Sequence, residues 1–349
     1  TINESRATRE RDAGSLLRAE AREGADRNQL IWGDNKLVMS SLLKDFAGRV
    51  DLVYIDPPFD TGADFSMRVA VGDSGEIAKE PSILEEHAYR DTWGSGIDSY
   101  LSMIYSRLVL IHELLADDGS LYLHVGPNVS HSVKLLCDEI FGAAAFRNEI
   151  VWRRTSAHSR LRRYGPVHDV ILYYAKGPSP TWHPQYVPYD QEYIDSFYRH
   201  VEEGTGRRFQ LDNLTSARPG GRYLFNGQPP PSGRYWGYSE EKMKQFEADG
   251  RIVYGKTGNP RYKRYLDEMP GMLIQDVWTD IAPLASQSSE RAGYDTQKPE
   301  SLLNRIITAS SDPGGLVADL FCGSGTTAVA AERLGRRWIA CDPLSANVP

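Results

Sequence analysis

The chain has 349 residues, 40% of them apolar and 25% charged, with a formal net charge of −7. This is ordinary globular composition, and at roughly 150 residues per domain it predicts two domains or one core carrying a large insertion. Cys137, Cys322 and Cys341 form no C-x-x-C pair, which excludes a disulfide scaffold or zinc ribbon as the expectation and points to a reducing, cytoplasmic setting. No apolar run approaches the roughly 18 residues of a membrane span, and the charged first 28 residues do not read as a signal peptide.

Residues 1–28 form an extension rich in Arg, Glu, Asp and Ala. Residues 29–33 read as a short strand and 35–46 as a helix. Residues 49–55 are the dense β-branched run of a strand buried on both faces of a parallel sheet. Residues 60–98 are rich in Gly, Asp and Ser and read as a long loop. Helical spacing over 100–115 and 133–141 alternates with strand-like runs at 120–125, 149–152 and 169–174. Such alternation predicts an α/β sheet.

After Lys176 the texture changes. The breakers at 177–180 and 227–231 interrupt it, and periodicity fades until about Glu290. One capped helix stands out, from Ser239 to Gly250. Residues 177–290 therefore read as an inserted, loop-rich module between a first half at 29–176 and a second at 291–349. From Trp152 to Glu290 the chain holds 19 Lys and Arg against 16 Asp and Glu. The remainder holds 21 against 31. The basic middle is also aromatic, which suits a strand of nucleic acid, or equally a surface that is merely rich in arginine. Arg153, Arg154, Arg160, Arg162, Arg163, Arg207 and Arg208 are candidate phosphate contacts. Beyond the insertion, α/β texture returns, with helices at 298–310 and 324–334 and strands at 315–321 and 337–342.

Two motifs carry chemistry. Asp319-Leu-Phe-Cys-Gly-Ser-Gly-Thr-Thr327 places Gly323 and Gly325 at a strand-to-helix turn. Glycines there let a ligand approach the backbone, and the helix start offers N–H groups. Asp342 ends the next strand, where an acid can take the hydroxyls of a ribose. Ala328 stands where a dinucleotide fingerprint needs its third glycine, which tilts the motif away from NAD. The second motif, Asp56-Pro-Pro-Phe59, follows the buried strand directly. Its prolines remove two N–H donors, leaving carbonyls, the Asp56 carboxylate and an aromatic ring. Acceptors beside a stacking ring suit an amino group on a flat ring. No H-E-x-x-H, H-x-E or Cys partner set suggests a metal.

These residues resemble the β-class DNA amino-methyltransferases that use S-adenosylmethionine, and in style the Mod subunits of type III restriction–modification systems. Asp56-Pro-Pro-Phe59 matches the acceptor motif, Phe321-Cys-Gly-Ser-Gly325 the cofactor motif, and Thr296-Gln-Lys-Pro299 the segment before the cofactor strand. Gly33-Asp34 matches the acid that meets the cofactor's adenine. The resemblance implies a Rossmann-like, permuted, mostly parallel methyltransferase sheet with an inserted target-recognition module. It implies a catalytic set of Asp56, Pro57, Pro58 and Phe59. The implied cofactor set is Asp34, Thr296, Gln297, Lys298, Asp319, Phe321, Cys322, Gly323, Ser324, Gly325, Thr326, Thr327 and Asp342.

The implied reaction moves a methyl group to an exocyclic amine of a base flipped out of double-stranded DNA. Aspartate at the head of the acceptor motif goes more often with adenine N6, and serine with cytosine N4. Cytosine N4, an RNA base, a small-molecule acceptor and a catalytically silent DNA-binding subunit stay as alternatives. A homodimer or a restriction or defence partner subunit fits the same resemblance. The chain starts at Thr1 and ends seven residues past Asp342, where the family continues with a helix, so a longer parent protein is expected.

Overall fold

The structure is a computed structural model. It describes residues 27–58, 67–70, 76–79, 97–155, 162, 164–255, 258–285, 288–292, 294 and 296–342; of 67–70 and 76–79 only the backbone is described. The chain divides into two compact units, one comprising residues 1–185 and 275–349, the other Tyr186–Ile274.

The first unit is built on an eight-stranded sheet. Its strands are β1 (Gln29–Trp32), β2 (Val50–Ile55), β3 (Leu115–Val125), β4 (Phe146–Arg153), β5 (His168–Ala175), β6 (Val277–Trp278), β7 (Leu316–Asp319) and β8 (Arg337–Asp342). Their spatial order is β1-β8-β7-β2-β3-β5-β4-β6. The first five run parallel. β5 is antiparallel to both β3 and β4, and β6 pairs parallel with β4. The sheet is thus mostly parallel, as expected. Among the described residues its α-helices are α1 (Asn35–Phe46), α2 (Ile97–Leu114), α3 (Ser130–Phe141), α4 (Glu300–Ser310) and α5 (Thr326–Arg333).

β2 shows why the parallel centre forms. Val50, Leu52, Val53, Tyr54 and Ile55 are all buried, although successive side chains point to opposite faces. A strand apolar on both faces is stable only with helices covering each side. Val53 and Ile55 join Leu121, Leu123, Val170 and Leu172 in a core with Met39 of α1, Leu108 of α2 and Val133 of α3. On the other face lies α4, with Leu302, Leu303, Ile306 and Ile307 buried and the Ser310 hydroxyl bonded to that of Tyr122 on β3 (2.7 Å).

The second unit is narrower than the 177–290 insertion expected. Residues 177–185 and 275–285 fall with the first unit instead. The His183 N–H donates to the Ala309 carbonyl (2.8 Å), and the Trp152 indole donates to the Ile281 carbonyl (3.0 Å). Nor is the unit only loops. Strands His200–Val201, Arg208–Asn213, Ile252–Tyr254 and Pro260–Tyr265 form an antiparallel sheet. Alternation is weak in these strands because they are short and mostly half-exposed, so the period-2 signal barely registers. Leu214, Phe225, Trp236 and Met243 make a small separate core.

Candidate active site

The two motifs lie over 260 positions apart in the chain, yet β2 and β7 are hydrogen-bonded neighbours, Val317 beside Leu52 and Ala318 beside Val53. Both turns leave the same C-terminal edge, where the strand order switches direction. In open α/β sheets ligands bind in this crevice.

At the β7 turn, Asp319 is buried and organises the loop. Its carboxylate accepts from the Phe321 N–H (3.1 Å) and from the Thr327 hydroxyl. Burial holds Asp319 well above the ordinary carboxylate range, to about 7, against the lowering effect of those two donors; the Asp56 charge pushes the same way as burial. Gly323 (φ +48°) and Gly325 (φ +78°) take the left-handed conformation, which side chains resist. A methyl group on Gly323 would sit 3.1 Å from the Tyr294 ring. Gly325 caps α5, whose first-turn N–H groups have no partner within the helix. Ser324 and Thr326 share a hydroxyl–hydroxyl bond (2.9 Å).

Asp342 closes the loop from β8, its carboxylate accepting the Gly323 N–H (2.8 Å). Cys322 is buried, its N–H donating to the Cys341 carbonyl (3.0 Å). Burial raises both thiols, Cys341 to about 12, so neither is poised as a nucleophile.

Asp34 ends β1's turn at the same edge. Its carboxylate caps α1, accepting from the Lys36 N–H (2.9 Å) and Leu37 N–H (3.1 Å), and pairs with Arg107 (3.5 Å). Beside it lies a brace not foreseen from the sequence. Asn35 donates to the Leu320 carbonyl (2.8 Å) and accepts from Arg107 Nε (2.6 Å). Asn35 is a polar residue on the buried side of α1, and that misfit with the helix's apolar stripe was the available signal.

At the β2 turn, Pro57 is buried and Asp56 and Pro58 are half-buried; Phe59 lies outside the described residues. Asp56 forms an ion pair with Lys298, their side chains 19% and 13% exposed. Lys298 also donates to the Thr296 carbonyl (3.3 Å). The structure therefore brings Lys298, expected in the cofactor set, onto the acceptor motif. Gln297 uses both ends of its side chain locally, accepting from the Ala292 N–H (2.8 Å) and donating to the Glu290 carbonyl (2.7 Å).

The expected phosphate contacts fare differently. Arg207 pairs with Asp267 and Glu268, Arg208 with Asp195, and Arg154 with Asp169; Arg160 and Arg163 lie outside the described residues. The unit at 186–274 holds 13 Lys and Arg against 12 Asp and Glu, so it is close to neutral rather than strongly basic. Among the described residues no group of His, Cys, Asp or Glu could hold a metal ion, and no helix is long and apolar enough to cross a membrane.

The chain is similar to the type II methyltransferase M.EcaI of Enterobacter cloacae, 35% identical over 90% of this chain and 66% of that one. It is similar to the StyLTI Mod subunit, a type III restriction–modification enzyme subunit of Salmonella typhimurium, at 30% over 88% and 50%. It is also similar to the DNA adenine methyltransferase YhdJ of Escherichia coli, at 24% over 92% and 80%. The chain thus spans about half to two thirds of the length of the first two relatives. The pattern of the DNA methylase family matches residues 50–345, from the first residue of β2 past the end of β8, and the chain belongs to that family.

Proposed function

We propose that this chain methylates DNA, moving a methyl group from S-adenosylmethionine to the N6 amine of an adenine. The observation that carries the reading is the β2–β7 pairing, which opens an acceptor-only turn and a glycine turn at one edge. Family membership and the likeness to relatives named as DNA methyltransferases support it.

The residues at the glycine turn fit the cofactor. Gly323 lacks the side chain that would crowd the loop, α5 offers N–H groups to a carboxylate, and Asp34 and Asp342 supply acceptors for adenosine. When bound, S-adenosylmethionine supplies an electrophilic methyl group. The chain's own part lies at Asp56. An exocyclic amine is a poor nucleophile because its lone pair is delocalised into the ring. Asp56 and the Pro57 carbonyl each accept one of its N–H bonds, which favours a lone pair localised on nitrogen. Transfer then needs chiefly positioning and electrostatics. Lys298 pairs with Asp56 at that turn and fixes where its carboxylate sits. Phe59 supplies the stacking ring for the flipped base.

Adenine is favoured by aspartate at the head of the motif and by the likeness to YhdJ. The unit at 186–274 is proposed as the target reader, with Tyr189 and Tyr193 stacked at 4.7 Å and Phe197 next in line and exposed. The StyLTI relative is named as a subunit, and a restriction partner is proposed here on that likeness. The test is transfer from labelled S-adenosylmethionine to unmethylated duplex DNA, followed by nucleoside analysis. N6-methyladenine is expected, reduced about 100-fold or more by Asp56→Ala. Label in N4-methylcytosine overturns the choice of base.

A further inference from the structure

The face of the sheet that carries Tyr54 is not apolar throughout. Beneath the acceptor turn, three polar side chains cross three neighbouring strands. The Tyr54 hydroxyl on β2 meets His124 Nδ1 on β3 at 2.9 Å. His124 Nε2 meets the Asp169 carboxylate on β5 at 3.3 Å. Asp169 in turn accepts from Arg154 Nε at 2.8 Å, and the Arg154 side chain is 46% exposed. Tyr54, His124 and Asp169 are 2%, 0% and 2% exposed. The Trp152 ring stands edge-on to His124, 5.8 Å away.

The bonds have a definite direction. Burial, with the Asp56 charge as a second cause, keeps the Tyr54 phenol protonated far into the alkaline range. A carboxylate only accepts, so the His124 Nε2–H donates to Asp169, and the neutral imidazole that carries its proton there turns the Nδ1 lone pair to the Tyr54 hydroxyl. The placement relative to Asp56 is equally definite. Tyr54 lies on β2, two residues before Asp56, which opens the turn after the strand. The last ladder pair between β2 and β3 is Ile55 with Leu123; Asp56 is the residue after the first and His124 the residue after the second.

Burying a phenol, an imidazole and a carboxylate here costs more desolvation than apolar residues of similar volume would. What the polar residues add is directional bonding, which selects one position where apolar contacts tolerate several.

We propose that Tyr54, His124 and Asp169 are positioning residues for the acceptor turn, holding the end of β2, and with it Asp56, in one place relative to the base. The inference rests on the methyl-transfer reading above. Its test uses Tyr54→Phe and Asp169→Asn, which keep side-chain volume, together with the double variant. Single-turnover transfer to unmethylated genomic DNA is measured beside cofactor affinity by calorimetry and thermal stability.

A folded Tyr54→Phe chain is expected to transfer about 10-fold more slowly, short of the roughly 100-fold that a 1 Å misplacement costs. Its cofactor affinity should stay within about two-fold, since only the transfer step is affected. The double variant should be no slower than the slower single one, because the residues act as a unit. Folded variants that match the parent rate overturn the inference, as does a cofactor affinity that falls in step with the rate. A parent that transfers no methyl overturns the functional reading and this inference with it.

Discussion

The two units use charge in opposite ways. In the first, carboxylates are drawn into the interior beside the site: Asp319 is 4% exposed and Asp169 2%, and burial pushes Asp319 up to about 7. In the second, carboxylates stay at the surface and meet cations. Glu268 is held down to about 2, chiefly by the hydrogen bond from Arg251. Glu202 is also held down to about 2, by the Tyr265 hydroxyl and then Lys263. Arg207 and Arg251 both lie over the Tyr265 ring, at 3.8 and 4.7 Å. Buried carboxylates without full compensation are costly and persist where they organise chemistry. Surface pairs cost little and contribute little. The contrast separates a unit that buries carboxylates at the edge of its sheet from one that holds itself together by a thin core and a network of ion pairs.

The most drastic way to break this contrast is to remove the second unit's core. Trp236 is 1% exposed, and its indole donates to the Tyr223 carbonyl (2.9 Å). Trp236→Ala is expected to cost about 3–5 kcal/mol. Hydrogen exchange should show residues 186–274 opening while β2 and β7 stay protected. Loss of protection in both units would show that the second unit is no independent body.

Gly323→Ala addresses the first unit. A left-handed backbone costs a side chain about 1–2 kcal/mol, and the Tyr294 ring at 3.1 Å adds crowding. S-adenosylmethionine affinity, read by calorimetry, should fall about 10-fold, and the melting temperature should drop by a few degrees.

The pH dependence sharpens the comparison. The folded-state pKa of Asp319 is raised from 3.8 to about 7. Its contribution is therefore fully present below about pH 4 and is lost as pH rises through about 7. Asp319→Asn should flatten the fall in melting temperature across that window. Glu268 has the opposite sign: its pKa is lowered from 4.5 to about 2, so its contribution is present above about pH 4.5 and lost as pH falls through about 2. Glu268→Gln should give the smallest effect, within about 1 kcal/mol, and a chemical denaturation series at two salt concentrations would measure it.

Much of the first unit was legible before any coordinates. Residues 35–46 and 337–342 were placed at their observed limits, because long apolar periodicity and clear caps are local signals. The same holds for the capped helix after Ser239, where the hydroxyl accepts from the Lys242 N–H (3.3 Å). Asp56 and the Gly323–Gly325 turn were legible as motifs, since prolines and glycines restrict the backbone wherever they occur. The antiparallel strands of the second unit were not legible. Each is short and half-buried, and its partner lies far along the chain, as Arg208–Asn213 does from Pro260–Tyr265.

The sequence alone determined which residues have the chemistry: an acceptor turn without donors, a glycine turn before a helix, and an acid at the end of the last strand. Only the tertiary structure decided which of them meet. Lys298, expected in the cofactor set, reaches Asp56. Asn35 and Arg107 brace Leu320, and Tyr54, His124 and Asp169 join across three strands. The physical reason is that parallel pairing brings together residues with no fixed separation in sequence. No local period encodes such a contact, and only the assembled sheet establishes it.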